Sequence, residues 1–214
     1  MSFSALAWDF VVNTAASPIS TESYLLNTLH NGVRTLTLNR PQQFNPLSEE
    51  MLDALLAALA EAGDDEGTRV VVIAASGKAF CAGHDLRQMR SQHDQAYYET
   101  LFQKCSSLMR GIVELPKPVI AAVQGIATAA GCQLVAQCDL AVSTRSARFA
   151  VSGVNLGLFC STPSVALSRN VARKKAFEML VTGAFISADE AKEQGLVNRV
   201  AADAALDEAV QELC

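Results

Sequence analysis

An α/β fold with a mainly parallel sheet is predicted by three features of the sequence. Strand-like and helix-like periodicities alternate along most of the chain. Arg69-Val70-Val71-Val72-Ile73-Ala74-Ala75 is a continuous apolar run, as in strands buried on both faces. Two turns rich in glycine and alanine, Gly77 to Leu86 and Gln124 to Asp139, each follow an apolar strand.

The elements follow in order. Residues 1–20 lack clear periodicity and read as a loose leader to a core domain over 21–200, with 201–214 starting a C-terminal helical region. Tyr24 to Leu29, the turn His30-Asn31-Gly32, and Val33 to Asn39 read as a β-hairpin with an Asn-Gly turn, ended by Pro41. Ser48 before Glu49 and Glu50 starts a helix whose stripe is Met51, Leu52, Leu55, Leu56 and Leu59, closed over Gly63 to Gly67. After the apolar run come a helix from about Gln95 to Leu115, a break at Pro116-Lys117-Pro118, and a strand from Val119 to Val123. Gly131 to Gln137 then reads as a short helix, Leu140 to Ser143 as a strand, Ala150 to Cys160 as a loop without carboxylates, and Ser164 to Val181 as one helix. Ser187-Ala188-Asp189-Glu190 is a capping-box start, with Gly195 closing that helix.

Length and composition bound the function. A chain of 214 residues has material for one domain with a good core, and half of it is hydrophobic. The net charge is −5 and no basic cluster exceeds Arg173-Lys174-Lys175, which argues against nucleic-acid and anionic-membrane partners. No stretch reaches the roughly 18 apolar residues of a membrane span. The six cysteines, at 81, 105, 132, 138, 160 and 214, lack metal-like spacing, so no metal site is expected and reduced thiols are. With neither a basic leader nor an arginine-rich transit pattern in the first 20 residues, the expected location is cytoplasmic.

The chemistry centres on the two small-residue turns. Small side chains let peptide N–H groups crowd onto a ligand oxygen, and Ala129-Ala130-Gly131 opens a helix whose first amides favour negative charge. Together the turns are a candidate anion trap.

These residues carry a family resemblance. Leu38-Asn39-Arg40-Pro41 with Asn45 and Leu47, Phe80-Cys81-Ala82-Gly83-His84-Asp85-Leu86, Lys117 to Gly125, Gly131-Cys132-Gln133-Leu134 through Cys138-Asp139, Thr182-Gly183, and Ser187 to Val197 resemble the crotonase (enoyl-CoA hydratase/isomerase) superfamily. The stretch from Gly153 to Pro163 is most similar to its enoyl-CoA hydratase domain-containing protein 3 subgroup. The resemblance implies a ββα-superhelix core with the C-terminal helical part cut short or missing, and coenzyme A thioester substrates with no covalently bound cofactor. It also implies assembly as homotrimers or dimers of trimers. By position, the oxyanion hole for the thioester carbonyl would be the main-chain N–H groups of His84 and Ala130. The coenzyme would run along Ala82, Gly83, His84, Asp85, Leu86, Ala129 and Ala130.

The departures from the family pattern bear on the reaction. By alignment, the two glutamates that hydratases use as acid and base fall on Gln133 and Gly153, neither of which transfers a proton near neutral pH. The family implies a lyase or isomerase, but one that holds an enolate or oxyanion without two-glutamate hydration. The alternatives are a malonyl-type CoA decarboxylase-like enzyme, suggested by Gly83-His84-Asp85 and Val154 to Gly157 with Cys160 where that enzyme has its proton donor, or a non-catalytic acyl-CoA-binding subunit. Each candidate has a plainer reading: Gln133 as a satisfied helix amide, Cys160 as packing, the His84 ring as bystander to its own amide, Asp139 as structural, and Asp85 as a helix cap rather than an adenine contact.

Overall fold

The computed structural model describes residues 23–214, and the leader expected over 1–20 lies outside them. β1 (Leu25–His30) and β2 (Val33–Leu38) pair antiparallel across Asn31-Gly32. Both turn residues have positive φ, 52° and 83°, as a two-residue hairpin turn demands. α1 (Glu49–Asp64) begins where Ser48 accepts a hydrogen bond from the Met51 amide, and it buries Met51, Leu52, Leu55, Ala58, Leu59 and Ala62, with Leu56 only half-buried.

The main sheet continues in parallel through β3 (Val70–Ala75), β5 (Val119–Val123), β7 (Leu140–Thr144) and β10 (Arg199–Ala201), in the order β1-β2-β3-β5-β7-β10. Side chains alternate across it. Val71 and Ile73 enter the large core with α1 and α3 (Gln95–Glu114), while Val70 and Val72 pack on the other face. There α8 (Leu206–Gln211) lays Leu206 and Val210 over Val33, Ile120 and Val142. That two-sided cover is why β3 is apolar throughout.

A second sheet was not legible in the sequence. β4 (Ala79–Cys81), β6 (Ile126–Thr128), β8 (Arg148–Ala150) and β9 (Ile186–Ser187) form it in that order. β4, β6 and β8 each follow a strand of the main sheet, and a helix comes after each pair: α2 (Leu86–Ser91), α4 (Ala130–Gln137) and α5 (Ser161–Asn170). This repeating β-β-α unit is the ββα superhelix expected from the resemblance.

Two expectations need correction. The helix expected over Ser164 to Val181 is two helices, α5 and α6 (Arg173–Thr182), separated at Val171 and Ala172, whose ψ values are 143° and 132°. The Asn170 amide, which donates to the Ala136 and Ala166 carbonyls at 2.8 and 2.9 Å, ties the end of α5 back onto α4. The loop expected over Ala150 to Cys160 instead contains a 3-10 helix, Ser152–Leu156. The serine half of the capping box forms: α7 (Ala188–Glu193) starts where Ser187 Oγ accepts from the Glu190 amide, while the Glu190 carboxylate pairs with Lys175 at 2.7 Å, and Gly195 follows at φ 89°.

Candidate active site

Asn45 sets up the first turn. Fully buried, it accepts from the Arg40 amide and donates to the carbonyls of Ser76 and Ala79, clamping the segment after β2 to both ends of the turn between β3 and β4. The chain leaving β4 is fixed by two backbone bonds, Ala82 N–H to Phe44 O and Leu47 N–H to Gly83 O. Gly83 has φ 92°, a conformation side chains disfavour.

The second turn ends in α4. Ala129 donates to Ala150 O and accepts from the Gln133 amide, and its φ of 51° with ψ of −122° is a geometry that alanine rarely adopts. Ala130 is the first helical residue, so its amide is one of those a helix leaves without an internal acceptor.

The two turns meet backbone to backbone. A Cβ on Gly83 would lie 3.0 Å from Ala129 Cβ, 3.2 Å from Thr128 O and 3.3 Å from the Ala130 nitrogen. A Cβ on Gly131 would collide with the Cys81 carbonyl, so α4 starts against the backbone of β4. His84 and Ala130 thus stand on touching segments, and the strain falls on Ala129 while Ala130 is ordinary helix.

The side chains of the sequence-predicted residues divide clearly. Asp85 is a cap, its carboxylate accepting from the Arg87 and Gln88 amides at 2.9 and 3.1 Å, and Leu86 opens α2 half-exposed. The His84 ring sits edge-on to Phe102 of α3, 5.4 Å between centroids. Its Nδ1 is buried without a hydrogen-bond partner. Burial pushes its pKa down and so favours neutral imidazole, and the Leu47 backbone works weakly in the opposite direction. Phe102 also begins an open groove along α3 lined by Gln103, Ser106 and Arg110.

Gln133 is buried, and its Oε1 has no partner. Gly153 lies in the 3-10 helix, where a Cβ would collide with the Leu158 carbonyl and lie 2.7 Å from Cys160 Sγ. The Gly153 amide donates to that sulfur at 3.3 Å. The position aligned with the second hydratase glutamate therefore has no room for a side chain, because the Cys160 thiol and a carbonyl fill it. Burial raises the Cys160 pKa, with the Gly153 N–H working against it, so the group stays a thiol at neutral pH. Asp139 is structural, accepting from the Val119 amide at 2.8 Å.

No local pattern signals Phe102 beneath His84, nor the 2.8 Å hydrogen bond between Thr128 and Ser152 that joins the second turn to the 3-10 helix. Chemically the arrangement offers peptide N–H donors, one neutral imidazole, one amide and one thiol. Neither 126–138 nor 150–160 contains a charged residue.

Comparison with known proteins adds to this geometry. A model of the family described as enoyl-CoA hydratase/isomerase matches residues 28–214. The enoyl-CoA hydratase domain-containing protein 3, mitochondrial, of Xenopus laevis is 47% identical over 189 residues, covering 88% of this chain. The chain spans 64% of that relative's length. Among solved structures, an enoyl-CoA hydratase from Mycobacterium smegmatis superposes with a TM-score of 0.88 at 65% identity, over 90% of this chain and 75% of that one. The human enoyl coenzyme A hydratase domain-containing protein 3 gives 0.86 at 44% identity, over 89% and 75%. These matches overturn the cytoplasmic expectation: the relatives from Xenopus laevis, Rattus norvegicus and Homo sapiens are all named mitochondrial. The expectation rested on reduced thiols and on leader patterns, and reduced thiols do not discriminate between reducing compartments.

Proposed function

The chain belongs to the enoyl-CoA hydratase/isomerase family, and from that premise we propose that it binds an acyl-CoA thioester and stabilises negative charge on the thioester oxygen with the His84 and Ala130 amides. The observation that carries this is the contact between the two turns, with the Ala130 nitrogen 3.3 Å from where a Gly83 Cβ would sit. Two fixed N–H dipoles at one oxygen stabilise an enolate or oxyanion in a water-poor site, and losing one such donor costs about 10²–10³ in rate. The strip from Ala82 to Leu86 with Ala129 and Ala130 forms the wall along which the coenzyme lies.

Ordinary hydration is not part of the proposal. It needs an acid and a base around one water. Gln133 cannot supply the first, and the space at Gly153 is taken by Cys160 Sγ and Leu158 O. Exposed Leu156, Leu158, Phe159 and Phe177, on or near the 3-10 helix, α5 and α6, offer apolar surface for assembly with further copies, and the homotrimer or dimer of trimers is what the family resemblance adds.

The test is calorimetric titration of the purified chain with butyryl-CoA beside an absorbance assay of crotonyl-CoA hydration. Binding with hydration no faster than in buffer is expected. Absence of thioester binding overturns the site, and brisk hydration overturns the assignment of a hydratase-deficient centre.

A further inference from the structure

We propose that the groove along α3 receives the far end of the acyl chain, and that Arg110 makes it selective for chains ending in a second carboxylate: an ω-carboxyacyl-CoA in preference to the plain fatty acyl thioester of equal length. This rests on the acyl-CoA reading above and extends it to the tail of the substrate.

The groove belongs to one face of one helix. Glu99, Phe102, Gln103, Ser106, Ser107 and Arg110 line it, at the spacing of a single helical stripe, and its volume of about 490 Å³ is that of a small-ligand site. It starts beside the proposed thioester site, because the Phe102 ring lies 5.4 Å from the ring of His84, whose amide is assigned to the thioester oxygen. From Phe102 to Arg110 the helix rises about 12 Å. A chain held by its carbonyl at His84 and passing the Phe102 ring therefore runs about two helical turns before it meets a positive charge.

The charges on α3 decide what the far end accepts. The helix carries two cations, Lys104 and Arg110. Lys104 is held by Asp53 of α1 at 2.8 Å, whereas Arg110 is exposed and makes no ion pair among the described residues. Helical side chains lean towards the N-terminus, so the guanidinium shares the end of the groove with the Ser106 and Ser107 hydroxyls one turn earlier. Paired N–H groups and two hydroxyls without a neighbouring carboxylate are a donor set that fits a carboxylate. The opposite end carries Glu99, about 16 Å earlier along the helix, with its Oε1 accepting from the Gln95 amide group at 2.7 Å. A short dicarboxylic chain brings its charge towards Glu99 and is repelled, while a longer one reaches Arg110. The Phe102 ring and the methylene stem of Arg110 give the carbons between them apolar contact.

The experiment titrates the full chain calorimetrically with three pairs of thioesters: octanoyl- and octanedioyl-CoA, decanoyl- and decanedioyl-CoA, and butyryl- and succinyl-CoA. In at least one of the two longer pairs the carboxylated member is expected to bind about fivefold more tightly, which is what an exposed ion pair gives at its upper end. Succinyl-CoA is expected to bind no more tightly than butyryl-CoA. In Arg110→Gln the long-chain preference disappears while octanoyl-CoA affinity holds, with a thermal melt confirming the fold. If that variant does not fold, salt decides on the unaltered chain, where the preference should shrink as ionic strength rises. Equal binding within both longer pairs, a preference that survives Arg110→Gln or high salt, or one that succinyl-CoA shares, overturns the role of Arg110 while leaving the thioester site standing. Failure of every thioester to bind removes both.

Discussion

In the six-stranded sheet, Leu36, Ile73, Val119 and Ile120 are fully buried and keep helices and strands apart by the bulk of their side chains. In the four-stranded sheet the opposite holds: Gly125 and Gly131 let backbone rest directly on the backbone of Lys78 and Cys81. The first kind of packing yields to small volume changes, because neighbouring side chains shift rotamer. The second has nothing to shift except main chain, and it is there that the candidate oxyanion amides are held. A site that works through peptide groups needs a scaffold defined at the level of peptide groups.

The sharpest way to break the comparison is one methyl group. Gly131→Ala drives a Cβ into the Cys81 carbonyl and within 2.8 Å of Cys81 Cβ, so β4 or α4 must move. A loss of about 3 kcal/mol is expected, at the upper end for overpacking. Ile73→Val in the large sheet removes a methylene at full burial and costs about 1 kcal/mol. Urea unfolding of the two variants decides the matter, and equal losses would mean that the small sheet adapts as readily as the large one.

The next test looks for the large sheet's sensitivity, which is polar rather than steric. Buried Arg34 on β2 donates to Thr68, Asn27, Glu61 and Asp65. The Thr68 hydroxyl first, then the Arg34 guanidinium and the Gly67 amide, hold the Asp65 carboxyl well below its ordinary value of 3.8. A carboxylate depressed in the folded state contributes stability above the unfolded pKa and loses it as pH falls towards the folded one. Acid unfolding below about pH 4 should therefore become less steep in Asp65→Asn. An unchanged slope would show that Asp65 titrates alike in both states.

These differences explain what could be read in advance. The hairpin, α1, β3, α3 and β5 were legible because each is a run of five residues or more with either a clear period or unbroken apolar character, and Asn-Gly, Ser48 and Pro118 mark the ends of three of them. The strands of the small sheet span two or three residues, too short for any period, and the break at Val171 carries neither glycine nor proline. Periodicity alone puts Gly111 and Gly131 each within a helix. A Cβ on Gly111 would meet nothing within 4 Å, whereas one on Gly131 has no room. Only the approach of β4 separates them, and that is a long-range fact.

Asp85 gives a smaller and cleaner prediction on the rim of the site. With its carboxylate occupied by two α2 amides, Asp85→Ala should cost about 1 kcal/mol as a lost cap. Butyryl-CoA affinity should hold once the variant is assayed below its unfolding temperature. A variant of unchanged stability but weakened thioester binding would restore the adenine contact that the cap now replaces.

The smallest effect runs the other way. Ala129, at φ 51° and ψ −122°, carries backbone strain that geometry of this kind prices at about 1–3 kcal/mol. Its Cβ faces Gly83, and its peptide carries the Ala130 amide whose direction the site depends on. Glycine accepts that conformation freely, though it gives back about 0.5–1 kcal/mol through the greater entropy of the unfolded chain. Ala129→Gly should therefore raise stability by roughly 1 kcal/mol, a rise of about 2–4 °C in Tm for a chain of this size. Ala129→Val, with a branched carbon in the same place, should lower it. Were the glycine variant no more stable than the parent, the small sheet would be relaxed at its tightest turn, and the contrast with the large sheet would rest on contact distances rather than on stored strain.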